Sequence, residues 1–87
     1  MGVGVMGERY IMVFVSSSQA AFVYNELEKN SISVELVSTP AKILSGCTKS
    51  IIYNKMYNDI VMQEVSKISA RIKGIYSIEN EDKYIKI

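Results

Sequence analysis

The chain has 87 residues, 48% of them hydrophobic, with ten Lys and Arg against nine Asp and Glu, one Cys, one Pro and no His. That is the length of one small domain, and the lack of histidine excludes Ser-His-Asp and Cys-His catalysis, imidazole metal sites and the usual near-neutral general base. A single cysteine excludes a disulfide framework and a thiolate zinc site, while a net charge of +1 gives no electrostatic case for nucleic acid or an anionic membrane.

Gly2 to Gly7, GVGVMG, matches the dinucleotide pattern G-x-G-x-x-G in its letters. The fingerprint requires a strand before the glycines and a helix after them, whereas here a strand follows, so residues 1–8 read as a flexible leader. Arg9 to Val15, RYIMVFV, is a run of apolar β formers bounded by polar residues, the pattern of a strand buried on both faces. Ser16, Ser17 and Ser18 offer caps for a helix over Gln19 to Lys29, whose Ala20, Val23, Tyr24 and Leu27 share one stripe. Asn30 is the expected left-handed stop.

In Ser31 to Val37, Ile32, Val34 and Leu36 alternate with Ser33 and Glu35, which predicts an edge strand with one wet face. Ser38 to Thr48, STPAKILSGCT, opens with turn chemistry at Thr39 and Pro40, allows one helical turn over Ala41 to Leu44 and breaks at Ser45 and Gly46, directly before Cys47. Ser50 to Tyr53 predicts a short strand. Asn54 caps a second helix over about 55–70, with Ile60, Val61, Val65 and Ile68 as its core stripe, and Ile72 to Ile78 supplies a last strand.

This order implies an α+β, ferredoxin-like βαββαβ sandwich over residues 9–78: a four-stranded antiparallel sheet with two helices on one face and strand order fourth, first, third, second. The helices leave the other face bare, so either Tyr10, Met12 and Phe14 or Ile11, Val13 and Val15 should lie on the uncovered side, open to a partner or a second subunit. The tail Glu79 to Ile87 reads as a solvated end, with an added edge strand or interface arm as the alternative because YIKI alternates with period two. No apolar run approaches the roughly 18 residues of a membrane span and no signal-peptide pattern is present; with one unpaired thiol, a cytoplasmic protein without membrane association is expected.

Cys47 is the distinctive nucleophile. A thiol reacts as its thiolate, which a nearby cation, inward-pointing amides and partial exposure favour; Gly46 allows close backbone approach, and Lys42 and Lys49 bring ammonium groups into the same segment. The alternative is an inert cysteine packed as a small hydrophobe in a non-catalytic interaction or dimerisation module. Ser45 or Ser50 with Lys42 or Lys49 could form a serine-lysine dyad, but no spacing fixes one. Glu26, Glu28 and Glu35 fall on solvated faces and Glu79, Glu81 and Asp82 in the tail, so no acid-base pair emerges. Tyr53, Tyr57, Tyr76 and Tyr84 lack interleaved basic residues and read as structural rather than as nucleic-acid stacking platforms. No cofactor or metal is expected.

Over about residues 9 to 78 the chain resembles a family of short bacterial proteins described as selenium or sulfur carrier-like. The likeness rests on RYIMVFV leading through serines into a helix, on SISVELVSTPAKILSGCTKSI with Pro40, Ser45, Gly46 and Cys47 at its centre, and on KGIYSI. Lys42 stands where the family often has arginine and Thr48 where it often has glycine; lysine keeps the charge without the fork of donors, and Thr48 adds a Cβ beside the cysteine. The resemblance implies that Cys47 accepts sulfur or selenium as a persulfide or perselenide from a desulfurase-like donor and passes it to an acceptor protein, a role that needs one thiolate and no acid-base pair.

Overall fold

A computed structural model describes residues 8–44, 46, 48–80 and 83–87. The glycine pattern of the leader, Ser45, Cys47, Glu81 and Asp82 lie outside the described residues.

Strand β1 (Arg9–Phe14) is flanked on both sides, by β3 (Lys49–Asn54) and β4 (Ile72–Asn80), which is why its sequence is apolar at every position from Ile11 onward. It ends one residue earlier than expected. Val15 is exposed and its N–H donates to the Arg71 carbonyl at 3.0 Å. Ser16 then caps α1 (Ser17–Lys29), its Oγ accepting from the Gln19 N–H at 3.3 Å, and α1 buries Ala20, Val23 and Leu27.

The stop of α1 departs from expectation. Asn30 has φ −93°, and the left-handed residue is Ser31 at φ 63°. Ser31 N–H donates to Glu28 and Ile32 N–H to Leu27, at 3.0 and 2.9 Å, so two orphan carbonyls are satisfied in a Schellman closure. The same closure ends α2 (Asn58–Lys67): Ser69 at φ 51° donates to Ser66 and Ala70 to Val65. In both, serine occupies the place usually held by glycine, because the paired hydrogen bonds offset the cost of the left-handed backbone.

Asn54 does cap, but what it caps is a 3₁₀ turn over Lys55–Tyr57, its Oδ1 accepting from the Met56 N–H at 2.9 Å. Val61 and Val65 of the expected stripe are buried and Ile68 packs against the core, whereas Ile60, in the first turn of α2, is 39% exposed and Glu64 is buried. Both helices pack on the face of the sheet that carries Met12, Phe14, Ile51 and Tyr53, and β2 (Val34–Ser38) forms the edge beyond β3.

The chain is therefore α+β, and its first four strands take the expected order, but the sheet has five antiparallel strands, β2-β3-β1-β4-β5. The expectation of four is corrected by β5 (Lys83–Lys86), which pairs Ile85 with Ser77 and Tyr84 with Ile78. A free edge on β4 leaves backbone donors and acceptors unpaired, and the alternating YIKI segment satisfies them.

Met12 and Phe14 belong to the helix-covered core, so strand alternation puts Ile11 and Val13 on the opposite face. They are nonetheless 0% and 1% exposed. Ile11 is flanked by Ile52 and Tyr76 and Val13 by Ser50 and Gly74, and Ile43 and Leu44 of the β2–β3 loop line a pocket together with Val13. Within the single chain Ile11 and Val13 are thus buried, while Val15, the third residue of that set, is 46% exposed.

Candidate functional site

The segment between β2 and β3 holds the Pro40 and Gly46 signals of the sequence, and its stem is closed by hydrogen bonds. Thr39 N–H donates to the Thr48 carbonyl at 3.1 Å, which ties the two ends of the loop together. Below that tie, the Thr39 and Ser50 hydroxyls meet at 2.7 Å in a buried contact, and the Thr48 hydroxyl donates to Thr39 Oγ1 at 2.8 Å. Three hydroxyls thus satisfy one another where water does not reach Ser50. Thr48 is half-buried and spends its hydroxyl on this stem.

Above the stem the chain makes the single turn expected after Pro40: the Pro40 carbonyl accepts from the N–H groups of Ile43 and Leu44, at 2.9 and 3.1 Å. The turn puts Lys42 on the surface. Gly46 is exposed, with φ +132° and no atom within 4 Å of where a Cβ would stand. Its backbone is thus in the region glycine favours, and it leaves open space beside the chain. Lys49 opens β3, and its ammonium donates to Ser38 Oγ at 3.3 Å across the β2–β3 pair. Of the predicted site residues, Gly46, Lys42 and Lys49 are thus all at this end of the sheet, while Cys47 lies outside the described residues.

The serine-lysine dyad finds no support in Ser50, whose hydroxyl is buried against Thr39 while the Lys49 ammonium is engaged by Ser38. Glu26 pairs with Lys29 at 3.2 Å on an exposed helix face, and Glu35 is exposed on β2. Tyr53 is a core residue. Its hydroxyl donates to Asn58 Oδ1 at 2.8 Å, its ring meets Tyr10 edge-on at 5.9 Å, and burial, with a smaller contribution from Tyr10, holds its pKa well above the ordinary tyrosine value. Among the described residues, no three acidic or thiol groups gather into a metal-ligating set.

Two features escaped the sequence reading. The hydroxyl stem is one, since Thr39 and Ser50 are eleven residues apart and meet only through strand register. The other is Lys73. Val13 pairs with Gly74 but Phe14 pairs with Ile72, so Lys73 is an extra residue bulged out of β4, and it lines a pocket with Val13, Ile43, Leu44 and Tyr76. Gly74 inside a strand pattern was the available signal, because an isolated strand glycine often marks a bulge.

The family described as Putative Se/S carrier protein-like matches residues 9–77, a span that includes both helices, the first three strands and the whole Pro40 to Thr48 loop. The chain belongs to this family. No curated protein and no solved structure gives a match. The family name describes a carrier, a role in which an atom is accepted and handed on. Among the described residues of this member, no helix is long and apolar enough to cross a membrane.

Proposed function

We propose that the chain is a sulfur or selenium carrier that holds its cargo on Cys47 as a persulfide or perselenide. The observation that carries this reading is the family match across residues 9–77, which spans the loop with Pro40, Gly46 and Cys47. The loop's hydrogen-bonded stem supports it, because a transfer site needs a reactive group displayed on a rigid base. Gly46 supports it by leaving open space next to the cysteine in the chain. Lys42 and Lys49 add positive charge to the segment, which favours the thiolate.

In the loading step the Cys47 thiolate attacks the outer sulfur of a persulfide on a desulfurase-like donor enzyme. A sulfur-sulfur bond forms to Cys47, the donor's sulfur-sulfur bond breaks, and the donor cysteine leaves as a thiolate while the proton stays on the transferred sulfur. No net oxidation or reduction occurs, and selenium follows the same exchange. Unloading to an acceptor protein is the same step with Cys47 as leaving group. The chemistry suits the reducing cytoplasm, where a lone thiol stays free.

Incubation with a cysteine desulfurase and cysteine tests the reading by intact mass. The expected result is a gain of one sulfur atom that a thiol reductant removes and that Cys47→Ser lacks. An unloaded wild type, or a Cys47→Ser protein carrying the same labile atom, overturns it.

A further inference from the structure

We propose that the pocket between the Pro40 turn and the outer face of β1 and β4 binds a small aliphatic anion, with the Lys73 ammonium as its counter-charge. The pocket, of about 320 Å³, is lined by Val13, Ile43, Leu44, Lys73 and Tyr76. That volume lies at the low end of small-molecule sites, which run from roughly 300 to 1,000 Å³, and suits a few-carbon ligand better than a nucleotide.

The lining sets the chemistry. Val13 is buried, Ile43 and Leu44 contribute aliphatic side chains, and no carboxylate is among the described residues that line the space. Among the described residues that line it, Lys73 is the charged one, and it makes no ion pair among the described residues; the Lys86 side chain passes nearby, its Cε 3.5 Å from the place a Cβ on Gly74 would take. In a regular strand Lys73 and Gly74 would point to opposite faces, so Lys73 would be directed toward the helices. The slipped register between Val13 and Phe14 gives it instead to the face of Val13 and Tyr76.

Gly74 completes the arrangement. The Tyr76 ring leans over it, with Cε1 only 3.3 Å from the place a Cβ would take, so a side chain at position 74 would displace the pocket's aromatic wall. The Lys73 ammonium beside a lining of mixed polar and aliphatic character is matched by a small ligand with a short hydrocarbon body and one negative end. The inference stands on the pocket alone; to the carrier reading it adds a seat, beside the cysteine-bearing loop, for a small donor whose negative charge lies away from the transferred sulfur, such as an alkyl persulfide that also bears a carboxylate.

Butanesulfonate is a suitable probe, with 1-butanol as its uncharged counterpart, titrated into the full-length protein while the methyl resonances of Val13, Ile43 and Leu44 are followed by NMR. Saturable shifts with butanesulfonate are expected, with 1-butanol binding more weakly. Lys73→Met should weaken the sulfonate about fivefold, the scale of one solvent-accessible ion pair, and leave 1-butanol unaffected, while Lys73→Arg should retain sulfonate binding. Absence of saturable methyl shifts, equal binding of the alcohol and the sulfonate, or a Lys73→Met protein that binds the sulfonate as the wild type does would each overturn the proposal. None of these readouts involves Cys47, so failure of the pocket and failure of the carrier reading are separable.

Discussion

Thr39 and Ser50 share a buried 2.7 Å hydrogen bond that joins the end of β2 to β3 immediately below the loop bearing Gly46 and Cys47. Their coupling is expected to be measurable. Thr39→Val leaves the Ser50 and Thr48 hydroxyls without their shared partner and should cost about 1 to 3 kcal/mol. Ser50→Ala should cost less, because Thr39 keeps Thr48. The double variant should lose less than the sum of the two, read by urea unfolding as a double-mutant cycle. Strict additivity would show that the hydroxyls act independently.

Gly46 separates backbone strain from steric conflict. Its φ of +132° disfavours any side chain, whereas the surrounding space is open. Gly46→Ala should therefore lower stability by about 1 to 3 kcal/mol, the cost of holding an ordinary residue in a sparsely populated backbone region. Gly46→Ser should lose a similar amount, since its extra atom meets nothing. Urea midpoints for the two variants check this, and a much larger loss for serine would mean that the space is filled.

Tyr53 couples the core to alkaline pH. Its pKa is raised by burial, so above the ordinary tyrosine value of about 10 the unfolded chain releases a proton that the folded chain retains. The unfolded state then binds fewer protons, and stability falls as pH rises. The contribution is fully present below about pH 10 and is lost above it, at up to roughly 1.4 kcal/mol per pH unit until the folded phenol ionises. Urea unfolding across this range should show the decline, and Tyr53→Phe should flatten it. The same substitution removes the donor to Asn58 and should cost about 1 kcal/mol at neutral pH. An unchanged alkaline slope in Tyr53→Phe would assign the decline to other groups.

Local pattern alone determined much of this protein. The continuous apolar run of β1 announced a central strand, the alternation around Val34 and Leu36 an edge, the serines after Val15 a helix start, and the Pro40 and Gly46 signals a loop distinct from the rest of the chain. Resemblance in that loop pointed to the family that the match over residues 9–77 then established. These features are legible because they depend on neighbours in sequence: side-chain period, backbone preference and turn chemistry.

Tertiary structure decided what depends on registration between distant segments. Tail residues became β5 because β4 offered an unpaired edge, and the first turn expected of the second helix became a separate 3₁₀ turn over Lys55–Tyr57. Ser31 and Ser69 took left-handed backbones because paired hydrogen bonds closed the helices around them. Thr39 met Ser50 across the sheet, and a one-residue slip between β1 and β4 turned Lys73 toward the loop. Each outcome is set by a partner that lies far away along the chain, and a periodic pattern carries no record of which residue that partner will be.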